Sequence, residues 1–189
     1  EPMSDSRQAP DSGAAVKSGK TKIDRRLLDA AEIAELPRAG LLRRLAALLY
    51  DMFLVAAIWF CFGSVLLFIF GFFADNTSQL VDGEVVTHPV LSALQFVMMV
   101  STSLAFYVWF WCRSGQTLGM IAWRIRVLSL DNQPLTARQA VTRFVAAWPA
   151  FWLAGLGYFW MYVDRDRDAV HDKLSGSKVI LLPKHARPF

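Results

Sequence analysis

Charge is what this chain lacks where it is most apolar. Between Leu45 and Phe73 the only charged side chain is Asp51, and between Val90 and Cys112 there is none. Charged residues make up 19% of the 189, hydrophobic ones 54%, and mean hydropathy is +0.33. A soluble amphipathic helix keeps a polar face, and these two runs have none. About 20 apolar residues suffice to cross a bilayer as a helix, so both runs read as membrane spans. The first is long enough to tilt or to begin in the headgroup layer.

Cysteine and histidine are also scarce. Cys61 and Cys112 have no paired spacing and no neighbouring His, which argues against zinc and a structural disulfide. Each reads as a buried thiol behaving like a small apolar residue. His88, His171 and His185 assemble no ligand set, so no metal or other cofactor is expected. Nucleophile elbows and Ser/His/Asp orders are missing. The stretch GQTLG (115–119) lacks the Lys-Ser/Thr partner and preceding strand of a phosphate loop. It reads as a tight turn leaving the second span, and the chain is expected not to be an enzyme.

The charges that exist lie in blocks. Net charge is +4. The Lys and Arg residues fall in three separate segments without an aromatic platform, so nucleic acid is not an expected partner. Basic residues instead fit membrane orientation and anionic headgroups. Residues 1–36 read as a disordered stretch followed by a short amphipathic segment, Ile23 to Leu36, stopped by Pro37. Residues 75–89 hold three acids and no Lys or Arg, with turn signals at Asp75-Asn76 and Asp82-Gly83. Residues 113–143 carry five Arg against Asp131 alone. That bias puts this loop and the N-terminus in the cytoplasm, with the acidic loop outside.

Within the basic loop, Trp123 to Leu130 alternates like a strand, with Arg124 and Arg126 on one face. Thr136 and Gln139 form a capping-box pattern that starts a helix. That helix leads into a third apolar run, Phe144 to Val163, interrupted by Pro149 and loosened by Gly155 and Gly157. Two readings stand: a kinked full crossing, or a re-entrant hairpin. The basic tail after residue 164 favours the hairpin. So does Ser177 to Leu182, a strand candidate whose natural partner is 123–130. The expected fold is all-α, with membrane segments at about 45–73, 90–112 and 144–163, and a small cytoplasmic two-strand element. Residues 37–183 form the membrane domain and 184–189 a tail. Three segments scarcely enclose a transport path alone, so a homo-oligomer or membrane partner is expected.

A carboxylate inside an apolar span is costly and is a functional-site candidate. Arg44 lies seven residues before Asp51, on the same helix face and about 10 Å away along the axis. Functionally, Asp51 is a proton or cation site tuned by Arg44. Structurally, it is one member of a buried network that orients helices, with Arg113 or a Ser/Thr of the second span. A second group, Asp164 to Asp172 with His171, reads as charges tying the tail to the basic loop, Asp172 meeting Arg124 or Arg126.

Three stretches in this order resemble the RDD family of small bacterial membrane proteins, named for one Arg and two Asp. They are RRLAALLYD around Arg44 and Asp51, SGQTLGMIAWRIRVLSLDNQPLT, and AVHDKLSGSKVI. The resemblance covers about 37–182 and implies an integral membrane protein. It places the second Asp at Asp172, with Asp131 as runner-up. The tail carries Ser-Gly-Ser where an Ala-Gly-Thr type triplet is commoner. Some members are linked to cation/proton antiport, so the resemblance leans towards transport.

Overall fold

The computed structural model describes residues 30–73, 78–152, 156–184 and 186. The expectations for residues 1–29 and for the turn at Asp75-Asn76 lie outside them. Two long helices dominate: α2 (Leu41–Phe73) and α3 (Pro89–Arg113). Only 6% of the most apolar window of α2, and 11% of that of α3, is buried inside the protein. The core helix of a soluble protein would be mostly covered. Here Phe53, Phe60, Phe68 and Phe72 stand outward and largely exposed, as lipid-facing side chains do. The two helices meet through small and hydroxyl residues. The Trp59 Nε1–H donates to Ser103 Oγ at 3.0 Å, and Ser103 and Thr102 donate to carbonyls one turn back, an arrangement that lets apolar helices pack closely.

Between them, residues 78–87 form a hairpin that sequence reasoning read only as a polar connection. Strand β1 (Ser78–Val81) pairs antiparallel with β2 (Glu84–Thr87). Asp82 and Gly83 both take positive φ, 52° and 85°, as a two-residue type I′ turn requires. The turn signal was visible; four residues on each side are too few to show alternation.

After α3 come short helix α4 (Leu118–Ala122) and strand β3 (Ile125–Ser129). Helix α5 (Ala137–Trp152) follows. Its start is capped as expected: the Thr136 N–H donates to Gln139 Oε1 at 3.0 Å, and the Gln139 N–H to Thr136 Oγ1 at 3.3 Å. The helix runs through Pro149 instead of breaking there. Pro149 sits near its C-terminal end, where one missing backbone donor disturbs little beyond it. The chain then forms α6 (Leu156–Phe159), a 3-10 turn (Trp160–Tyr162), α7 (Val170–Ser175) and strand β4 (Ser177–Leu181).

Strand β4 pairs antiparallel with β3, Arg126 opposite Ile180 and Ser129 opposite Ser177. Its other edge receives residues 37–39: the Ala39 N–H donates to the Val179 carbonyl at 2.9 Å, and the Leu181 N–H to the Pro37 carbonyl at 2.8 Å. The two-strand element expected from alternation therefore exists, with an added edge from the segment just before α2. One face packs Ile125, Val127 and Val179 against the helices; the other packs Leu128 and Ile180 against Ile33 and Leu36 of the α1 (Ala30–Glu35) region. Because β3 and β4 are neighbours, the chain between them leaves and returns to one place. The Tyr158 ring comes within 4.8 Å of the His171 ring, so the part after α5 folds back towards α7.

Helix α4 lies hard against α2 at Gly119. A Cβ there would stand 2.2 Å from the Ala47 carbonyl oxygen. Gly119→Ala should therefore cost about 1–3 kcal/mol through overpacking, read as a lower unfolding midpoint in detergent. Gly40→Ala, with open space around it, should leave the midpoint unchanged.

Candidate functional site

Asp172 is the centre of the buried charge. It is fully covered, at 0% exposure. Its position as the third residue of α7 turns Oδ2 back to accept the Ala169 N–H at 3.0 Å. Arg44 of α2 donates to Oδ2, and Arg143 of α5 donates to Oδ1. Arg44 Nε also donates to the Ala39 carbonyl at 3.0 Å, and Arg143 to Ser177 Oγ at 2.6 Å. The Arg143 guanidinium lies 5.2 Å from the Trp111 ring centre, a favourable cation–π distance. One carboxylate therefore joins α2, α5, α7 and, through Ser177, β4. Arg38 adds an ion pair to buried Asp168 at 3.2 Å. Around this site, three guanidiniums face two carboxylates.

Electrostatics follow from that packing. Burial alone would raise the Asp172 carboxyl, but Arg143 and Arg44 outweigh it and hold it well below the ordinary range. Burial, reinforced by the same guanidiniums, pushes His171 down from 6.5 to about 4, so its imidazole is neutral at pH 7. Burial pushes Asp168 up despite Arg38.

Asp51 occupies a second cluster. It is 1% exposed. Thr117 Oγ1 donates to its Oδ2, and the Gly119 N–H donates to Oδ1 at 2.9 Å. Thr117 is also the N-cap of α4, accepting the Met120 N–H at 3.3 Å. The GQTLG turn thus has a specific use. Gly115, at φ 70°, turns the chain out of α3 where a Cβ would strike the Val127 carbonyl. Thr117 and Gly119 then grip the carboxylate.

The two clusters share a cavity of about 390 Å³ between α2, α3 and α5, lined among others by Arg44, Asp51, Tyr107, Arg143 and His171. Arg44 and Asp51 do share one face, as their spacing predicts, but they bond different partners. Asp172 meets Arg44 and Arg143, not Arg124 or Arg126. Arg124 sits at the edge of β3 in a left-handed conformation, φ 54°, which takes it out of the alternation. Arg126 is half-buried and its Nε has no acceptor among the described residues. Arg113 is exposed, 5.5 Å from the Trp109 ring centre, and Asp131 is an exposed turn residue. Asp164, Asp166 and Asp168 bring carboxylate oxygens within 4.8 Å of one another, but Lys173 pairs with Asp164 and Arg38 with Asp168.

The family model described as "RDD family" matches residues 38–176. The chain belongs to the RDD family. Its matched region begins just before Arg44 and ends just after Asp172, so it contains both ends of the Arg44–Asp172 pair and the Asp51 clamp. It is a membrane protein of that family, mostly helical, with two helices apolar enough to span a bilayer. No curated protein and no solved structure matches it.

Sequence reasoning missed Arg143, Thr117 and Gly119. Arg143 stands at the border of the third apolar run, where an orienting charge is expected anyway. Thr117 and Gly119 lie 66 and 68 residues from Asp51, beyond any periodicity.

Two outcomes test this site. Asp172→Asn leaves two buried guanidiniums without a counter-charge and should destabilise the protein by about 3–5 kcal/mol, measured by chemical unfolding in detergent. The second concerns pH. His171 is neutral when folded but takes a proton near 6.5 when unfolded, so stability should fall as pH drops from 6.5 towards 4, by ~3 kcal/mol. The Asp172 contribution is present above its unfolded value of 3.8 and is lost only below it. Protonation of Asp168 works the opposite way, so the comparison is with His171→Phe, which should flatten the slope between 6.5 and 4.

Proposed function

We propose that this chain is a small transport-related protein of the bacterial inner membrane, without enzymatic activity, that moves protons through a site at Asp51. The observation that carries this reading is that Asp51, buried in a membrane helix, lines the cavity between α2, α3 and α5. Intramembrane carboxylates that face cavities are characteristic of ion and proton paths. Arg44 and Arg143 line the same cavity and repel a metal cation, which favours the proton over sodium or potassium as the species carried.

Protonation of Asp51 has a mechanical consequence. The ionised carboxylate accepts from Thr117 and Gly119; adding a proton weakens both charge-assisted bonds. That loosens α4 from α2 and changes the wall of the cavity. The N-terminus and the three-segment sheet lie on the cytoplasmic side, by the basic residues around them. The segment formed by α5 and α6 re-enters from that side, since its flanking strands pair with each other. Two or more copies, joined through the exposed apolar faces of α2 and α3, complete the path.

A second reading, a non-catalytic assembly subunit, is favoured by one observation. Both oxygens of Asp51 and both of Asp172 are already bonded to fixed donors, as in a purely structural network. Liposomes loaded with a pH dye separate the two. Asp51→Asn should abolish the dissipation of a pH gradient that wild-type protein supports, while inserting at wild-type yield. Unchanged dissipation in that variant, with a lost oligomer, would leave the assembly reading standing and end the transport one.

A further inference from the structure

Helices α2 and α5 each pack on α3 far more than on each other, and the cavity lies in the cleft this leaves. Its mouth is between them: Met52 of α2 and Trp148 of α5 both line it and are 51% and 44% exposed. At the depth of the spans such surface meets lipid, so a guest enters from the bilayer. The back wall is one face of α3, where Ser103, Tyr107 and Trp111 follow at four-residue steps. A volume of about 390 Å³ lies within the range of small-ligand sites.

The charges around the cleft cancel. Arg38, Arg44 and Arg143 stand against Asp51, Asp168 and Asp172, and His171 is neutral. A charged guest would lose its hydration with nothing to offset the loss, so the cleft suits an uncharged one. Two features narrow the choice. First, the hydroxyls of Tyr107 and Tyr158, both lining residues, bond to no described residue, and neither is sealed off from its surroundings. Tyr107 interacts electrostatically with both Asp51 and Tyr158, which puts the two hydroxyls in one region of the cleft. Each is a donor open to an acceptor. Second, the wall is aromatic. The rings of Trp111, Tyr107, Phe144 and Trp148 follow one another with centres 5.1, 6.0 and 6.2 Å apart, spacings at which rings attract.

We infer that this cleft binds an uncharged molecule of the bilayer that carries a flat ring with carbonyl oxygens and an apolar tail, the chemistry of a prenylated quinone. The ring lies along the aromatic wall. Its carbonyl oxygens accept from Tyr107 and Tyr158, and its tail leaves past Met52 and Trp148 into lipid. This binding involves no transfer of electrons. It does not depend on ion movement through Asp51, and its measurement involves no gradient.

Trp59, Trp111 and Trp148 line the cleft and report on it directly. Full-length protein in nanodiscs of zwitterionic lipid is titrated with a short-chain prenyl benzoquinone, which quenches indole fluorescence. A brominated long-chain methyl ester, which has a chain and a carbonyl but no ring, is titrated separately. The quinone should quench saturably, and the ester only in the linear manner of a bilayer solute. Tyr107→Phe and Tyr158→Phe keep their rings, and each should weaken the saturable phase about five-fold. Ala147→Phe, which fills the cleft without touching a charge or a hydroxyl, should remove that phase at an unchanged melting temperature. Should that variant not fold, Ala56→Phe on the facing helix serves with the same expectation. Saturable quenching by the ester overturns the inference, as does wild-type affinity in both tyrosine variants or in the filled one. Purely linear quenching by the quinone overturns it too; a filled variant that then also loses its oligomer would mean that a second copy occupies the cleft.

Discussion

A single carboxylate buried among guanidiniums is the constraint on which the rest of this structure depends. Asp172 draws Arg44 from the first long helix and Arg143 from the third helical segment onto one point. Neither arginine tolerates burial alone, and neither is replaceable by an apolar neighbour while the other charges remain. The geometry then follows. Helix α5 must lie close to α2, α7 must present its first turn inward, and β4 must follow directly, because Ser177 completes the coordination of Arg143. The sheet edge at 37–39 fixes the start of α2 to the same strand. Apolar helices in lipid have little reason to choose one neighbour over another; this cluster supplies the choice.

The Asp51 clamp does similar work one step deeper. A helix and a tight turn are brought together by two donors to one acceptor, with glycine making room for the approach. Its oxygens are satisfied, yet the residue still faces a cavity. That dual character is why one arrangement serves both a proton path and a structural network, and why the distinction rests on function and not on distances.

How much was legible from residues alone depended on range. The two long helices, the capped start of α5 and the β3–β4 alternation are local patterns, and each appears where its pattern lies. Asp51, with Arg44 on the same face, stood out as a charge that apolar surroundings make costly, and Asp172 stood out through the family resemblance. Their partners did not. Arg143 has the same appearance as an orienting charge at a membrane border, and Thr117 that of any helix cap. Arg124 and Arg126 were plausible partners for Asp172 only on the assumption of a regular strand through residue 124, which a left-handed residue ends. The β1–β2 hairpin shows the opposite limit: its turn was readable, its strands too short.

The strand that closes the sheet comes directly after Asp172 and its helix, and this orders events at the ribosome. Arg44 is 128 residues ahead of Asp172, so at about 5–20 residues per second it emerges roughly 6–25 s before its counter-charge. Until then the first helix enters the bilayer with its guanidinium snorkelling to the headgroups. The bundle cannot close until Asp172 and β4 have emerged, which makes this segment the latch of biogenesis and not a dispensable appendage.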